Sequence, residues 1–189
     1  CMGDIGTHAE NLSEYITGLK ITELCADLTT FVEGRLLDDD GNVLIRLENG
    51  ARGILYASQI SVGEENGIRI RVYGEKGGLE WIQTNPNTLI AKWNDRPAEI
   101  IRTGGGYLSE RSLMNTRLPM GHPEGFIEAF ANIYRNYILS LKAIIDGKEP
   151  KPEHLDFPNV KDGVRGMAFI ETVVEGNKSD KKWTKFKSY

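Results

Sequence analysis

A series of strand-like segments in the first half of the chain most constrains its fold. Segment 68–73 alternates apolar with polar residues, the pattern of a half-buried strand. Asn49-Gly50 separates two further apolar segments and is the strongest hairpin signal in the sequence. Because strands joined by short turns pair antiparallel, we expect a mostly antiparallel open sheet of about six strands. The strand-like segments are 21–32, 43–47, 53–58, 68–73, 79–82, 88–93 and 98–102.

Helical periodicity is confined to the start of the chain and to the segments after residue 121. An opening helix ends at Gly18, a long amphipathic helix begins near His122 and ends at Gly147, and a last helix covers 160–175. The wide apolar surface of the long helix predicts that it is buried against the sheet. Segment 103–121 has no periodicity and is predicted to be a long loop. The predicted fold class is therefore α+β, with helices on one face of the sheet.

The composition indicates one globular domain and excludes several classes of protein. A length of 189 residues is typical of a single domain, and no internal repeat or linker divides it. No apolar run is long enough to span a membrane and no signal-peptide pattern is present, so we expect a cytoplasmic protein. The formal charge of −4 argues against nucleic acid as a partner. Cys1 and Cys25 cannot form a disulfide framework, and we expect Cys25 to be a small buried residue.

The opening helix carries the residues with the most reactive chemistry. Asp4, His8, Asn11 and Tyr15 are spaced by four, three and four, so they form a polar stripe along one side of a helix. Histidine exchanges protons near neutral pH, and a carboxylate one turn away can orient it or share a substrate hydroxyl. Two structural alternatives stay open: Asp4 can be the N-cap of the helix, and the pair can be simply solvated.

A second face of this helix is apolar, and it is the face that we expect to dock on the core. Its residues are Ile5, Ala9, Leu12, Ile16 and Leu19.

The run Gly3-Asp4-Ile5-Gly6-Thr7-His8 resembles the helix that opens the C-terminal domain of the Gfo/Idh/MocA oxidoreductases. These are nicotinamide-dependent sugar and polyol dehydrogenases. The resemblance continues through Glu75-Lys76-Gly77-Gly78, through Gly121-His122-Pro123-Glu124-Gly125-Phe126 and through Asp162-Gly163, so it covers nearly all of the chain. Only the first motif is chemically specific. The residue three beyond the histidine is often aspartate in the family, and here it is Asn11, which hydrogen-bonds but cannot ionise.

The resemblance implies roles for individual residues. His8 is expected to be the base that takes the hydroxyl proton of a sugar or polyol, with Asp4 orienting that hydroxyl. Asn11, Tyr15 and His122 are expected to bind other substrate hydroxyls, although Tyr15 can instead pack and His122 can instead be an N-cap. The family fold implied is again α+β, with an open sheet face that forms a homo-oligomer interface. Tyr56, Trp81 and Trp93 are the aromatic residues to follow on that face.

The cofactor implied by the resemblance is NAD or NADP, bound by an N-terminal Rossmann domain. That domain has a glycine-rich phosphate turn and supplies a lysine in a Glu-Lys-Pro motif, and this sequence contains neither. Gly104-Gly105-Gly106 is better interpreted as a loop. The sequence is therefore expected to be the C-terminal domain alone, with no cofactor site and no metal site of its own, and to be inactive without the nucleotide domain.

Two other functions remain open at this point. The chain can be a non-catalytic binding or assembly module of the same fold, or it can come from an enzyme that cleaves glycosides by transient oxidation. A metal hydrolase is disfavoured because Asp4 and His8 have no third ligand at a recognisable spacing. The acidic triplet Asp38-Asp39-Asp40 lacks the rest of a calcium loop and is predicted to be a solvated turn.

Overall fold

The chain has eight strands and four α-helices, and the strands form two antiparallel sheets. The computed structural model describes all residues, 1–189. The strands are β1 (Ile21–Thr29), β2 (Asp40–Leu47), β3 (Arg52–Ser58), β4 (Arg69–Tyr73), β5 (Gly77–Ile82), β6 (Thr88–Trp93), β7 (Glu99–Arg102) and β8 (Thr184–Lys185). The helices are α1 (Thr7–Thr17), α2 (Glu110–Met114), α3 (Phe126–Ile145) and α4 (Val160–Lys178). The α+β class and the antiparallel pairing are confirmed.

The strands divide into two sheets of four, in the orders β3-β2-β1-β8 and β4-β5-β6-β7, where the sequence predicts one sheet of about six. The first sheet belongs to a unit formed by Cys1–Glu65 and Asn159–Tyr189, and the second to a unit formed by Asn66–Pro158. Alternation along a strand shows which face is buried but not which strands pair, so the sequence did not show the division. In the segment between β3 and β4, two residues have the left-handed backbone conformation, Gly63 (φ 89°) and Glu65 (φ 52°).

The core of the first unit lies between its sheet and α4. Leu24, Val43, Phe169 and Val173 are fully buried there. The predicted hairpin is confirmed, because β2 pairs with β3 across a turn in which Asn49 has φ 62° and Gly50 has φ 85°. Cys25 is only half-buried.

The acidic triplet is not a solvated turn. Asp39 is fully buried, and its carboxylate accepts the backbone N–H groups of Phe31 (2.8 Å) and Val32 (2.9 Å) and pairs with Arg35 (3.3 Å). The N–H group of Phe31 is the main cause of a lowered pKa at Asp39, followed by the N–H of Val32 and the charge of Arg35, while burial opposes them. The carboxylate closes the turn before β2, because it binds backbone donors that would otherwise be unpaired.

Helix α3 buries a line of polar side chains along one side, so the prediction that its apolar surface is covered by the sheet is wrong. Asn132 accepts from Arg117 Nε (2.6 Å) and donates to the carbonyl of Asn115 (2.7 Å), and Ser140 donates to the carbonyl of His154 (2.9 Å). The apolar residues of the helix remain exposed; they include Phe126, Ile127, Tyr134, Ile144 and Ile145. The buried line is polar because it faces backbone groups of the segments before and after the helix, which need partners.

The helices of the second unit differ in detail from the prediction. Segment 103–121 contains α2, whose first turn is capped by the Ser109 side chain. Helix α3 begins at Phe126 and not at His122, because Gly125 precedes it and donates its N–H to the Glu128 carboxylate at 2.8 Å.

A glycine in β5 gives a stability prediction for the second unit. A Cβ on Gly77 would lie 2.1 Å from the backbone carbonyl oxygen of Lys92 on β6, so Gly77→Ala must push the paired strands apart. We expect the free energy of unfolding to fall by about 2 kcal/mol. Gly106→Ala is the matched control, since a Cβ there meets nothing within 4 Å, and its expected change is below about 0.5 kcal/mol. Equal denaturation midpoints for the two variants would contradict the close approach.

None of the helices is both long and apolar enough to cross a lipid bilayer.

Candidate active site

The polar stripe begins in a widened first turn. Met2–Gly6 form a π-helical turn in which the Cys1 carbonyl accepts the N–H groups of Asp4 (3.1 Å), Ile5 (2.8 Å) and Gly6 (3.3 Å). Helix α1 follows directly and ends at Gly18 (φ 68°), whose N–H donates to the Glu14 carbonyl at 2.8 Å. The predicted end of the helix is therefore confirmed. Short π-turns are often found at functional sites, where they shift side chains off the regular helical spacing.

All four residues of the polar stripe are exposed. Asp4 and His8 lie in the first turns, and Asn11 and Tyr15 follow along the same side of α1. The carboxylate of Asp4 does not cap the helix, and neither it nor the His8 imidazole bonds to another side chain. The N-cap alternative is therefore excluded, and both groups are open to a ligand. An imidazole with a carboxylate nearby can remove a proton from a hydroxyl and hold the resulting oxygen by hydrogen bonds.

The face that α1 buries differs from the one predicted. Ile5, Ala9 and Leu19 pack against the core as expected, but Ile16 is 48% exposed. The most buried positions are instead Met2, Gly6, Glu10 and Glu14. Two carboxylates are thus buried on the inner side of the helix, which the sequence analysis missed.

Arg165 of α4 makes this burial possible. Its Nε and Nη2 donate to Glu14 at 3.1 and 2.6 Å, and Lys20 Nζ adds a donor at 2.7 Å. Glu10 is only 2% exposed, lies 3.9 Å from Arg165 Nε, and has one carboxylate oxygen, Oε1, without a hydrogen-bond partner. The arginine therefore neutralises Glu14 directly and Glu10 only at a distance.

The pKa values of the two carboxyl groups are shifted in opposite directions. Burial, followed by the charge of Glu14, raises the pKa of Glu10 from 4.5 to about 7. Burial acts the same way on Glu14, but hydrogen bonds from Arg165, Lys20 and the Ile21 N–H outweigh it and hold the pKa of Glu14 below its usual value. Neighbouring acids whose pKa values are driven apart are common in active sites and also in structural ion pairs. These two carboxylates face the protein interior, so here the arrangement is structural.

His122 lies in the second unit, in the loop before α3. It is exposed, its Nδ1 is 3.1 Å from the Pro119 carbonyl oxygen, and it does not cap the helix. Of the other predicted site residues, Asp4 lies in the π-helical turn and His8, Asn11 and Tyr15 lie on α1, all in the first unit. The roles of all five residues stay predictions.

The chain offers no cradle for a dinucleotide. All strand ladders are antiparallel, whereas the dinucleotide fold needs a parallel βαβ unit with a glycine-rich turn at a helix N-terminus. Gly104-Gly105-Gly106 lie in a turn region, where a Cβ on Gly105 would come within 2.5 Å of the Tyr107 ring. Nor does any group of three or more histidine, cysteine or acidic side chains have the arrangement of a metal site. The chain therefore has no parallel βαβ unit of the kind that binds a dinucleotide.

The buried cluster left only a weak signal in the sequence. Glu10 and Glu14 follow Gly6 at intervals of four, which places them on the same side of the helix as a glycine with no room for a side chain. A Cβ on Gly6 would lie 2.5 Å from the sulfur of Met2. The partner, Arg165, is 151 positions away, and local patterns cannot link residues that far apart.

Comparison with known proteins gives a consistent set of relatives. Residues 1–80 match the model of the GFO/IDH/MocA C-terminal domain. The chain is 34% identical over 188 residues to the uncharacterized oxidoreductase YfiI of Bacillus subtilis (strain 168), covering 98% of this chain and 48% of that protein.

Solved structures of oxidoreductases are also similar to this chain. An oxidoreductase from Sinorhizobium meliloti is 41% identical with a TM-score of 0.91, covering 96% of this chain and 51% of that one. An inositol dehydrogenase homolog from Azotobacter vinelandii, complexed with NADH and myo-inositol, is 30% identical with a TM-score of 0.88, covering 97% and 49%. The chain spans about half the length of each of these relatives.

Proposed function

Since the chain belongs to the Gfo/Idh/MocA family of oxidoreductases and matches its C-terminal domain, we propose that it is the substrate-binding and catalytic part of a sugar or polyol dehydrogenase. The observation that supports this proposal is the exposed pair Asp4 and His8, whose side chains are free of other partners on one end of α1. A relative complexed with NADH and myo-inositol supports the same class of substrate.

His8 is the general base in this proposal. Oxidation of a secondary alcohol removes a proton from oxygen and a hydride from carbon, so a base must lie within hydrogen-bond reach of the hydroxyl. His8 takes that proton on a ring nitrogen. Asp4 accepts a hydrogen bond from a substrate hydroxyl and orients the sugar, and Asn11 and Tyr15 bind other hydroxyls.

The cofactor in this proposal is NAD or NADP, and its nicotinamide ring accepts the hydride. Because the residues of this chain do not form a dinucleotide site, a separate nucleotide-binding domain must hold it. We therefore expect this chain alone to bind sugars but to be inactive as a dehydrogenase.

The test is sugar-dependent formation of reduced nicotinamide. The chain joined to a family nucleotide-binding domain is incubated with NAD⁺ or NADP⁺ and a panel of inositols and aldoses, and the isolated chain serves as the control. We expect reduction only with the joined protein and only in the presence of a polyol or sugar. Binding without any reduction would favour the non-catalytic module, and hydrolysis of a glycoside that needs only catalytic nicotinamide would favour the glycosidase.

We also propose that the chain self-associates through the outer face of its first sheet. Leu44, Ile54 and Tyr56 point away from the core and are 42%, 77% and 53% exposed. Adjacent exposed apolar side chains often mark a protein interface. Trp81 and Trp93 are partly covered within the second unit and do not contribute to this patch. Sedimentation should show an oligomer that Ile54→Lys dissociates, and a monomeric wild type would contradict the proposal.

A further inference from the structure

Arg165 is the point at which four parts of the first unit meet. Its guanidinium binds the Glu14 carboxylate of α1, and its Nη2 also donates to the Ile21 carbonyl at the start of β1 (2.7 Å). The ring of Phe186, just after β8, lies 3.7 Å from its central carbon. The arginine itself belongs to α4, so one side chain links α1, β1, α4 and the C-terminal segment.

The Glu14 carboxylate also accepts hydrogen bonds from groups other than Arg165. Its Oε1 accepts the backbone N–H of Ile21 at 2.8 Å, in addition to the donors from Arg165 and Lys20. The residue is only 5% exposed. A buried carboxylate with this many charged and backbone donors has one well-defined position, because bidentate arginine contacts fix orientation as well as distance.

This ion pair, which we call the Arg165–Glu14 clamp, has no apolar substitute on α1. Leu12 is half-buried and Ile16 is exposed, so on α1 itself only Ala9 packs against the core cluster, after Met2 and Ile5 of the π-helical turn. Apolar contacts are not directional, whereas hydrogen bonds are. The rotation of α1 about its axis is therefore set by the clamp.

The helix transmits this orientation to the polar stripe. His8 lies about 120° around the helix from Glu14 and about 9 Å along the axis, so the clamp holds the buried side while His8 projects from the exposed side. A small rotation of α1 about its axis would therefore also move the His8 imidazole sideways. Catalytic groups displaced by about 1 Å lose on the order of 100-fold in rate.

We propose that Arg165 and Glu14 are positioning residues for the proposed active site: they fix the rotation and depth of α1 and thereby direct His8 and Asp4 toward the substrate. This inference rests on the proposed dehydrogenase function. Neither residue touches substrate, and each acts only through the helix.

Arg46 provides a matched control within the same unit. It also pairs with a glutamate, Glu23 (2.8 Å), and also stacks on an aromatic ring, Trp183 (3.8 Å), but these partners lie outside α1. Arg165→Met and Arg46→Met therefore remove similar interactions, of which only one reaches the catalytic helix. Glu14→Gln removes the clamp from the other side and replaces Arg165→Met if that variant does not fold.

The experiment measures kcat and KM of the joined dehydrogenase together with amide hydrogen exchange across α1. For Arg165→Met we expect kcat to fall on the order of 100-fold and KM to rise, because the same rotation moves His8 and the substrate-binding residues. We expect the α1 amides to exchange at least about tenfold faster than in Arg46→Met. Arg165→Lys keeps the charge but loses the bidentate fork, so its kcat should lie between those of wild type and Arg165→Met. For Arg46→Met we expect kcat and KM to stay near the wild-type values.

The two measurements separate this inference from the function on which it rests. If the wild-type protein turns over sugars and the two methionine variants lose kcat equally, the clamp does not position His8 and the inference is overturned while the function stands. If the wild-type protein shows no turnover, the proposed function fails, and the exchange of α1 alone decides whether the clamp holds the helix. Equal amide exchange of α1 in the two methionine variants would show that the clamp does not hold the helix.

Discussion

Replacing His8 with alanine is expected to lower kcat for sugar oxidation by a factor of about 10² to 10⁴, the usual contribution of a general base. The side chain is exposed and bonds to no other side chain in the chain, so its removal should leave the fold intact. KM should change little, because Asp4 and the other polar residues of α1 still bind the substrate. The measurement is steady-state reduction of the nicotinamide in the joined dehydrogenase, with the sugar varied.

His154→Ala is the control for this prediction. His154 is one of only three histidines in the chain and lies in the second unit, outside the residues proposed to bind substrate. It should turn over sugar at the wild-type rate. Near-normal kcat in His8→Ala would remove His8 from the mechanism and leave the non-catalytic module as the better account.

Glu10 is expected to make the stability of the first unit depend on pH in an unusual direction. Its pKa is raised from 4.5 to about 7 in the folded state, so between these values the folded protein holds a proton that the unfolded chain has released. Stability contributed by this group is therefore present below about pH 4.5, falls as the pH rises to about 7, and changes no further above that value. Integrated over the interval, the loss is about 3 kcal/mol.

Burial is the main cause that raises the pKa of Glu10, and the charged groups around it act in both directions. Glu14 on the same helix and Asp162 on α4 favour the neutral acid, while Arg165 and Lys20 favour the charged form but are bound or directed to Glu14. Burial and the neighbouring acids outweigh the two cations. Ionisation of Glu10 therefore places a negative charge against a carboxylate that already occupies the arginine.

Glu10→Gln isolates the effect, because glutamine is close in size and cannot ionise. The difference in unfolding free energy between wild type and variant, measured by denaturant titration from pH 4 to 9, should shift in favour of the variant by about 3 kcal/mol as the pH rises. Other carboxylates with lowered pKa, such as Glu14 and Asp39, weaken both proteins alike in acid and cancel in the difference. A difference that is flat with pH would show that Glu10 is ionised when folded.

Much of the fold followed from local patterns. Alternation located seven of the strands, Asn49-Gly50 located the hairpin, and Gly18 marked the end of the first helix, because strand periodicity and left-handed turn residues act over a few neighbouring positions. The short strand β8 was missed, since two residues carry no periodicity. The motif from Gly3 to His8 likewise identified the exposed stripe and the family.

What the sequence by itself determined is the set of local elements and the order in which they occur, together with the polar side of α1. Only the tertiary structure decided how the strands divide between two sheets, which side of α3 is buried, and that α1 docks through two carboxylates. Each of these depends on partners far away in the chain, above all on Arg165, which makes it favourable to bury Glu14. Without such a partner the cost of desolvation would keep that carboxylate in water.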